Sequence, residues 1–237
     1  MHWTKKLSKE KRDRLAKTVR GQREEQLRGW RLTYSAARRL SSVPFIEDIV
    51  GEKQQALGRP LRFLDSGAGL MGVSADLKRA FGKDIEVTAI TLRHPNLSTK
   101  SKRRSLKTAR TRAHAEYYPF NGPESERQKF NADIANQISS AIDRGRRDVN
   151  WVDSQKIGLV ENLSARKKYD IIFDGAGALQ YGLNNKRILE RYYKMLPQGG
   201  LLVLNIHPYT FEKIKELIDP DKFILERKEK IIILIKK

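Results

Sequence analysis

The sequence predicts an α/β fold: a Rossmann-like, mostly parallel seven-stranded sheet with helices on both faces, of which the last two strands form a C-terminal antiparallel hairpin. Two observations support this prediction. From residue 61 onward, strands alternate with helices, and the strands are continuously apolar, as in parallel sheets that are covered on both faces. Near the C-terminus, the strands 223–226 and 231–235 are close enough in sequence to pair as a hairpin.

Five strands precede the hairpin, and they are expected at residues 61–65, 85–90, 149–152, 169–174 and 201–206. Helices are indicated by apolar residues three or four positions apart. The first of these helices has Ser42 as its cap and Pro44 in its first turn, and it ends near Gly58. The helices that follow are expected at residues 73–81, 125–143, 186–196 and 211–218.

The composition divides the chain of 237 residues into two parts. Residues 1–42 are predicted to form a basic helical extension, because Lys, Arg, Glu, Gln and Leu dominate residues 9–40 and the apolar stripe is thin. Residues 43–237 are predicted to form the α/β domain. The segment between its second and third strands is long, and the helix 125–143 accounts for only part of it, so residues 93–122 are interpreted as a basic insertion.

Several classes of protein are excluded by composition. The chain has no cysteine, which rules out a disulfide framework, a thiolate metal site and a cysteine nucleophile. No apolar run approaches the roughly 20 residues that span a bilayer. The first residues contain no apolar segment of the kind found in secretory signals, so we expect a cytoplasmic location.

Positive charge dominates the composition: 48 Lys and Arg residues against 28 Asp and Glu residues give a net charge of +20. Residues 1–40 contribute a net +9 and residues 93–120 a net +7, so the excess is concentrated in two segments. A general bias toward basic residues would spread the excess evenly along the chain. Charge concentrated in this way indicates a polyanionic partner, with nucleic acid favoured over an anionic membrane.

The most informative motif follows the first strand. It begins at Asp65 and places glycines at Gly67, Gly69 and Gly72, between a strand and a helix. Glycines permit a tight turn and a close approach of a ligand to the backbone, next to the free N–H groups of a helix N-terminus. Dinucleotides bind such loops through their pyrophosphate, and S-adenosylmethionine binds them through its amino acid end. A tight turn that holds no ligand is the alternative interpretation.

From about residue 45 to residue 237, the chain resembles the class I S-adenosylmethionine-dependent methyltransferases, which are Rossmann-like. The resemblance rests on Leu64–Gly69 as the first motif, Tyr169–Gly175 as the motif of the fourth strand, and Met195–Val203 as the helix, turn and strand that follow. The terminal hairpin is also typical of that family. The acid two residues before the first glycine, the Pro-Gln-Gly-Gly turn and the hairpin favour this family over dehydrogenases that use a dinucleotide.

The resemblance implies S-adenosyl-L-methionine as the cofactor. The family usually has an acid at the end of the second strand for the ribose hydroxyls. Here Thr91 stands at that place, and a hydroxyl binds less strongly than a carboxylate. Asp153, interpreted as following the third strand, would meet the adenine amine. The residues implied for cofactor binding are Asp65, Ser66, Gly67, Ala68, Gly69, Thr91, Asp153 and Asp174.

Methyl transfer to nitrogen or oxygen requires a nucleophile in line with the methyl group and sometimes a base that takes a proton. Asp174 is the best candidate base at the carboxyl ends of the strands, followed by Tyr181 and His207. A loop-capping role for Asp174 is equally consistent with the sequence. His207, directly before Pro208, is also typical of a structural or surface histidine. No metal site is predicted.

The insertion combines cations, which neutralise phosphates, with tyrosines, which stack on unpaired bases. We therefore expect the partner to be RNA, of the ribosomal or transfer class, and we expect no membrane partner. The residues expected to bind RNA are Arg38, Arg39, Lys100, Lys102, Arg103, Arg104, Lys107, Arg110 and Arg112.

Three functions stay open at this point. A methyltransferase that acts on structured RNA is favoured. A non-catalytic RNA-binding or ribosome-binding protein on the same fold would account for Thr91 and for the missing catalytic signature. An NAD(P)-dependent oxidoreductase is supported by the glycine loop alone. A methyltransferase for a basic protein is less favoured, because like charges repel.

Overall fold

The computed structural model describes residues 43, 45–69, 71–91, 136, 139–140, 143–144, 147–175, 178–181, 184–205, 212, 214–228 and 231–237. The chain divides into two compact units, Met1–Thr33 with Ser98–Ser139 and Tyr34–Leu97 with Ser140–Lys237. All the strands and helices bounded below belong to the second unit. The predicted extension at residues 1–42 and the predicted insertion at residues 93–122 lie outside the described residues.

Seven strands have defined bounds within the part of the chain that the structure describes. They are β1 Leu61–Ser66, β2 Ile85–Thr91, β3 Ser154–Ile157, β4 Ile171–Asp174, β5 Leu201–Leu204, β6 Phe223–Lys228 and β7 Ile231–Lys236. The bounded helices of the same part are α1 Ile46–Leu57, α2 Gly72–Phe81, α3 Ala178–Tyr181 and α4 Asn185–Met195.

The strands form one sheet in the order β3-β2-β1-β4-β5-β7-β6. The pairs from β3 across to β5 are parallel, and β7 is antiparallel to both of its neighbours, β5 and β6. The first five positions repeat the Rossmann-like order, in which the chain direction across the sheet reverses between β1 and β4. The predicted fold class is therefore confirmed, including the mostly parallel sheet of seven strands and its closing hairpin.

Two apolar layers cover the two faces of the sheet, because successive side chains of a strand point to opposite faces. On β1, Leu61 and Phe63 belong to the layer that also contains buried side chains of α1 and α2. Leu64 belongs to the opposite layer, together with Ile188 and Tyr192 of α4. The end of β1 continues this alternation, so its last two residues, Asp65 and Ser66, face different layers.

The third strand was predicted at residues 149–152, and this prediction is wrong. Val149–Trp151 forms a short 3-10 turn, and β3 follows it at Ser154–Ile157. Strand β3 lies at the edge of the sheet, and its Ser-Gln-Lys-Ile sequence is mostly polar and partly exposed. An edge strand that is not buried on both faces has no continuous apolar run, which is why the pattern pointed to the wrong segment.

The bounds of α2 and α4 agree within one residue with the helices expected at residues 73–81 and 186–196. Helix α1 begins at Ile46, after Phe45, whose φ of 67° is left-handed, so the predicted cap at Ser42 and the predicted place of Pro44 in the first turn are wrong. It ends at Gly58, with a φ of 61°, as predicted. The helix expected at residues 125–143 lies mostly outside the described residues. Helix α4 begins after Asn184, whose side-chain oxygen accepts a hydrogen bond from the backbone N–H of Arg187 at 3.0 Å.

An ion pair between a half-exposed arginine and a buried aspartate lies at the amino end of β4. The guanidinium of Arg59 donates to both carboxylate oxygens of Asp170, at 2.8 and 2.7 Å, and the backbone N–H of Arg62 donates to Oδ2 at 2.8 Å. The Asp170 side chain is 4% exposed and the Arg59 side chain 44% exposed. These bonds hold the start of β4 beside the start of β1. In the described residues, no helix is long and apolar enough to cross a membrane.

Candidate functional site

The glycine loop leaves the carboxyl end of β1 and turns back over the end of β2. Gly67 and Gly69 have φ values of 106° and 53°, which an L side chain adopts only with strain. The backbone N–H groups of Gly67 and Ala68 donate to the carbonyl oxygen of Ile90 at 3.1 and 3.0 Å. Because these two N–H groups are bonded to β2, a ligand at the loop would meet its other backbone groups.

Asp65 ties the end of β1 to helix α2. Its carboxylate oxygen Oδ2 accepts a hydrogen bond from the Ser74 hydroxyl at 2.6 Å, and both residues are buried. Ser74 lies in the first turn of α2, directly after the glycine loop. This bond fixes the two ends of the loop to each other, which supports a loop-orienting role for Asp65.

Ser66 faces the other side of the sheet and contacts Tyr192 of α4. Its hydroxyl is hydrogen-bonded to the Tyr192 hydroxyl, which donates in turn to Oδ2 of Asp174 at 2.7 Å. The same carboxylate oxygen accepts from the backbone N–H of Leu179 at 3.0 Å. Tyr192 and Asp174 are 0% exposed and Ser66 is 1% exposed, so the whole network is closed to solvent.

The Tyr192 phenol stays protonated throughout the ordinary pH range. Burial, which penalises the phenolate, is the largest cause, and the negative charge of Asp174 adds to it, so the pKa of Tyr192 is well above its usual value. The phenol therefore always has one hydrogen to donate. Asp174 is the acceptor of that hydrogen, and this fits the loop-capping interpretation of Asp174.

Thr91 is the last residue of β2, at the position where the sequence placed it, and it is buried. Its carbonyl oxygen accepts a hydrogen bond from the backbone N–H of Gly158 at 3.0 Å. Gly158 directly follows β3, so the ends of β2 and β3 are held together beside the glycine loop. A hydroxyl is thus present at the edge where the resemblance implies a ribose-binding group.

Asp153 was predicted to follow the third strand, at the carboxyl edge of the sheet, but it lies at the amino edge. It precedes β3, its Oδ2 accepts from the backbone N–H of Val87 at 2.7 Å, and its Oδ1 lies 2.9 Å from Lys78 Nζ. This correction follows from the shift of the third strand: an acid expected after the strand actually stands before it. At this position Asp153 joins the amino end of β3 to β2 and to α2, away from the glycine loop.

The carboxyl edge of the sheet thus brings together the residues implied for cofactor binding, with the exception of Asp153. The ends of β1, β2 and β4 place Gly67–Gly69, Thr91 and Asp174 along one edge, at the point where the strand order reverses. In open α/β sheets, ligands bind in the crevice beyond the carboxyl ends of the strands at such a reversal. Among the described residues, no cluster of His, Asp and Glu side chains suits a metal ion.

Several predicted residues lie outside this description. Tyr181 ends helix α3, and the structure describes its backbone only. His207 and all of the basic residues expected to bind RNA lie outside the described residues. Their roles stay predictions, and the residues concerned are Arg38, Arg39, Lys100, Lys102, Arg103, Arg104, Lys107, Arg110 and Arg112.

Sequence reasoning missed the part that Tyr192 and Ser74 play. Tyr192 lies within the helix predicted at residues 186–196 and is buried in the core, but helical spacing assigns no role to its hydroxyl. A signal was present, because a tyrosine at a fully buried position needs a hydrogen-bond partner for its hydroxyl. Ser74 was hidden in the same way, as a small polar residue among the apolar positions of α2.

Comparison with known proteins finds no matching family model and no matching curated protein. Among solved structures, the chain is similar to TrmN from Thermus thermophilus, with 19% identity and a TM-score of 0.46, over 87% of this chain and 53% of that one. It is also similar to a putative S-adenosyl-L-methionine-dependent methyltransferase from Methanococcus maripaludis, with 13% identity and a TM-score of 0.47, over 81% and 84% of the two chains.

A third similar structure is the ribosomal protein L11 methylase from Lactobacillus delbrueckii subsp. bulgaricus, with 14% identity and a TM-score of 0.42, over 80% and 76% of the two chains. The chain spans about half the length of TrmN, and all three identities are low. The activity of the chain therefore has to follow from its own residues.

Proposed function

We propose that this chain is an S-adenosylmethionine-dependent methyltransferase that acts on structured RNA, of the ribosomal or transfer class. The observation that supports it best is the position of the glycine loop. The loop follows β1, the strand next to the reversal in strand order, where open α/β sheets bind their ligands. The resemblance of its sequence to the first motif of the class I methyltransferases supplies the identity of the ligand.

The residues at this edge fit the cofactor. Gly67 is exposed and, like Gly69, has a backbone conformation that leaves no side chain between the loop and a ligand. Thr91 offers a hydroxyl at the end of β2, and Asp65 holds the loop through Ser74. When bound, S-adenosylmethionine would supply an electrophilic methyl group, and the protein would have to place a nucleophile in line with it.

The charge of the chain supports RNA as the substrate. The two basic segments, residues 1–40 and residues 93–120, hold most of the net charge of +20. The second segment begins two residues after Thr91, the last residue of β2, in the sequence. Cations of these segments would neutralise the phosphates of a bound RNA.

The order of the strands disfavours the NAD(P)-dependent oxidoreductase. Dinucleotide-binding Rossmann sheets end in a parallel sixth strand next to the fifth. In this chain the neighbour of β5 is β7, which is antiparallel to it. The third glycine of the dinucleotide fingerprint, Gly72, is present, so the glycine loop alone does not separate the two ligands.

A non-catalytic RNA-binding protein is the second candidate, and the burial of Asp174 favours it. The carboxylate oxygen Oδ2 of Asp174 accepts two hydrogen bonds and the residue has no exposed surface, so in this conformation it takes no proton from a substrate. Methyl transfer with positioning alone is compatible with this arrangement, whereas a mechanism that needs Asp174 as a general base is not.

Titration calorimetry tests cofactor binding. We expect nucleic-acid-free protein to bind S-adenosylmethionine and S-adenosylhomocysteine in the micromolar range and not to bind NAD. The variant Gly67→Ala adds a Cβ at a φ of 106° in the loop, and Gly58→Ala adds one at a φ of 61° far from it, where the space is open. Both substitutions strain the backbone, but only Gly67→Ala should abolish binding. Equal loss in both variants, or binding of NAD alone, contradicts the proposed cofactor.

Transfer of a labelled methyl group to total RNA tests the substrate. We expect incorporation by the wild-type protein and a fall of at least about tenfold for Arg103→Gln/Arg104→Gln, because each lost phosphate contact weakens binding. The control Lys186→Gln/Arg187→Gln removes the same charge from exposed positions of α4, outside both basic segments, and should retain activity. Cofactor binding and RNA binding without incorporation would favour the non-catalytic candidate.

A further inference from the structure

Tyr192 joins the two strand ends that border the proposed cofactor site. Its phenol oxygen donates to Asp174 Oδ2 at 2.7 Å and is also hydrogen-bonded to Ser66 Oγ. Because a phenol has a single hydrogen, the hydrogen in the second bond comes from Ser66. The three side chains therefore form a directed chain from Ser66 through Tyr192 to Asp174, and none of them has appreciable exposure.

The chain of bonds ends at the two loops of the site. Ser66 directly precedes Gly67, whose backbone N–H donates to the Ile90 carbonyl at 3.1 Å. Asp174 directly precedes the loop after β4, and it also accepts from the backbone N–H of Leu179 in α3. One hydroxyl group on α4 thus fixes the starting points of the glycine loop and of the loop after β4.

We infer that Tyr192 is a positioning residue for cofactor binding: its hydroxyl, acting through Ser66 and Asp174, holds the loops after β1 and β4 in the geometry that binds the adenosyl cofactor. The ligand in this inference rests on the proposed function. Tyr192 is fully buried, so it acts on the cofactor through the two strand ends and not by contact.

A positioning role and a purely structural role predict different results. A buried bond that only stabilises the fold lowers the free energy of unfolding, while the folded molecules bind the cofactor as before. A bond that positions the loops weakens binding by the folded molecules themselves, because displaced loop groups no longer meet the ligand. The two roles are separated by measuring affinity well below the unfolding transition.

The variant Tyr192→Phe removes only the hydroxyl, and Tyr193→Phe is its matched control. Tyr193 is the next residue of α4, and its ring packs edge-on against Phe223, with centroids 5.4 Å apart, and under Lys236. We expect Tyr192→Phe to raise the dissociation constant for S-adenosylhomocysteine about tenfold in calorimetry at 10 °C, with the folded state verified by circular dichroism. Tyr193→Phe should bind as the wild type does.

Ser66→Ala tests the same link from the side of the loop, and it applies also if Tyr192→Phe does not fold. The single variants and the double variant Ser66→Ala/Tyr192→Phe should show similar losses of affinity. Ser66→Ala breaks the bond to Tyr192, and Tyr192→Phe breaks that bond and the one to Asp174, so each variant interrupts the same chain of bonds. Amide exchange is expected to accelerate at Gly67 and Ala68 in all three, since their N–H bonds to Ile90 depend on the position of the loop.

The two possible failures are distinguishable. Wild-type protein that binds neither adenosyl compound contradicts the proposed function. Wild-type binding together with a folded Tyr192→Phe of unchanged affinity and unchanged exchange at Gly67 contradicts the positioning role alone and leaves Tyr192 as a stabilising residue of the core.

Discussion

Strand β4 has a buried aspartate at each end, and the two are held in different ways. At the amino end, Asp170 is 3% exposed and binds the Arg59 guanidinium through both oxygens. At the carboxyl end, Asp174 is 0% exposed, and its Oδ2 accepts from a neutral phenol and a backbone N–H. The partly exposed guanidinium of Arg59 neutralises the Asp170 carboxylate. The Asp174 carboxylate accepts hydrogen bonds from buried O–H and N–H groups.

The comparison separates an ion pair that stabilises the fold, at Asp170, from a buried network that fixes the geometry of a strand end, at Asp174. The Asp170 pair can tolerate exposure, because Arg59 is nearly half exposed and water supports both charges. The Asp174 network is closed to solvent, and its members are hydrogen-bonded to one another inside the protein. Substitution of Asp170 should therefore lower the free energy of unfolding by a moderate, pH-dependent amount. Substitution of Asp174 should lower it by a larger amount.

The largest effect on the free energy of unfolding is expected at the carboxyl end of β4, where the Asp174 network is buried. Asp174→Ala leaves the Tyr192 hydroxyl and the Leu179 N–H buried without their acceptor, so we expect the free energy of unfolding to fall by about 3 kcal/mol. Urea unfolding at pH 7 measures the loss. Asp174→Asn keeps an acceptor oxygen in place and should cost only about 1 kcal/mol. Equal losses in the two variants would show that the charge of Asp174, and not its acceptor geometry, stabilises this end.

A smaller and pH-dependent effect is expected at Asp170. Burial is the largest single influence and alone would raise the pKa of Asp170. The hydrogen bonds from Arg59 and from the Arg62 N–H, together with the positive charges of both arginines, outweigh it, and the pKa lies below its usual value. We expect Asp170→Asn to lower the free energy of unfolding at pH 7 by about 2 kcal/mol, because it removes the charge paired with the half-exposed Arg59.

The sign of the pH dependence follows from the lowered pKa. The stabilisation by Asp170 is fully present above the pKa of an unfolded aspartate, about 3.9, and is lost as the pH falls through the lower pKa of the folded state. The difference between wild type and Asp170→Asn should therefore be constant from pH 7 to 5 and shrink below about pH 4. The exposed control Glu52→Gln should stay within about 0.5 kcal/mol of wild type at pH 7. A gap that widens in acid would disprove this assignment.

The smallest effect on the free energy of unfolding is expected for an exposed ion pair that lies at neither end of β4. Lys167 lies 2.7 Å from Glu86, and both side chains are 41% exposed. Water screens such a pair, so Lys167→Met should change the free energy of unfolding by less than about 0.5 kcal/mol. A loss above about 1 kcal/mol in chemical denaturation would mean that exposure does not separate weak pairs from strong ones in this protein.

The sequence predicts the buried parts of the fold well. Strands β1, β2, β4 and β5 are rich in buried apolar residues because both of their faces are covered, and their predicted positions overlap the observed ones. The edge strand β3 is polar, and its pairing with Thr88–Thr91 of β2 leaves no periodic signal. Because the third strand was predicted too early in the sequence, Asp153 was expected at the carboxyl edge of the sheet, whereas it lies at the amino edge.

The candidate site likewise contains positions that the sequence predicts and contacts that it does not predict. The glycine loop and Thr91 are found where the motif places them, since they are fixed by the ends of buried strands. The direction in which Ser66 and Asp174 point is set by partners distant in sequence: Tyr192 lies 126 residues from Ser66 and 18 residues from Asp174. Motif spacing does not encode such a contact. The need of a buried tyrosine for a partner indicates that one exists, but not which one.

The position of β7 has a consequence for synthesis. This strand, the last of the described strands along the chain, lies between β5 and β6, which are both made before it. A ribosome-bound chain that has reached residue 228 has already produced both neighbours but not the strand that separates them. The edges of β5 and β6 that face β7 therefore stay unpaired until Ile231–Lys236 emerges, and the sheet is completed only after β7 has been translated.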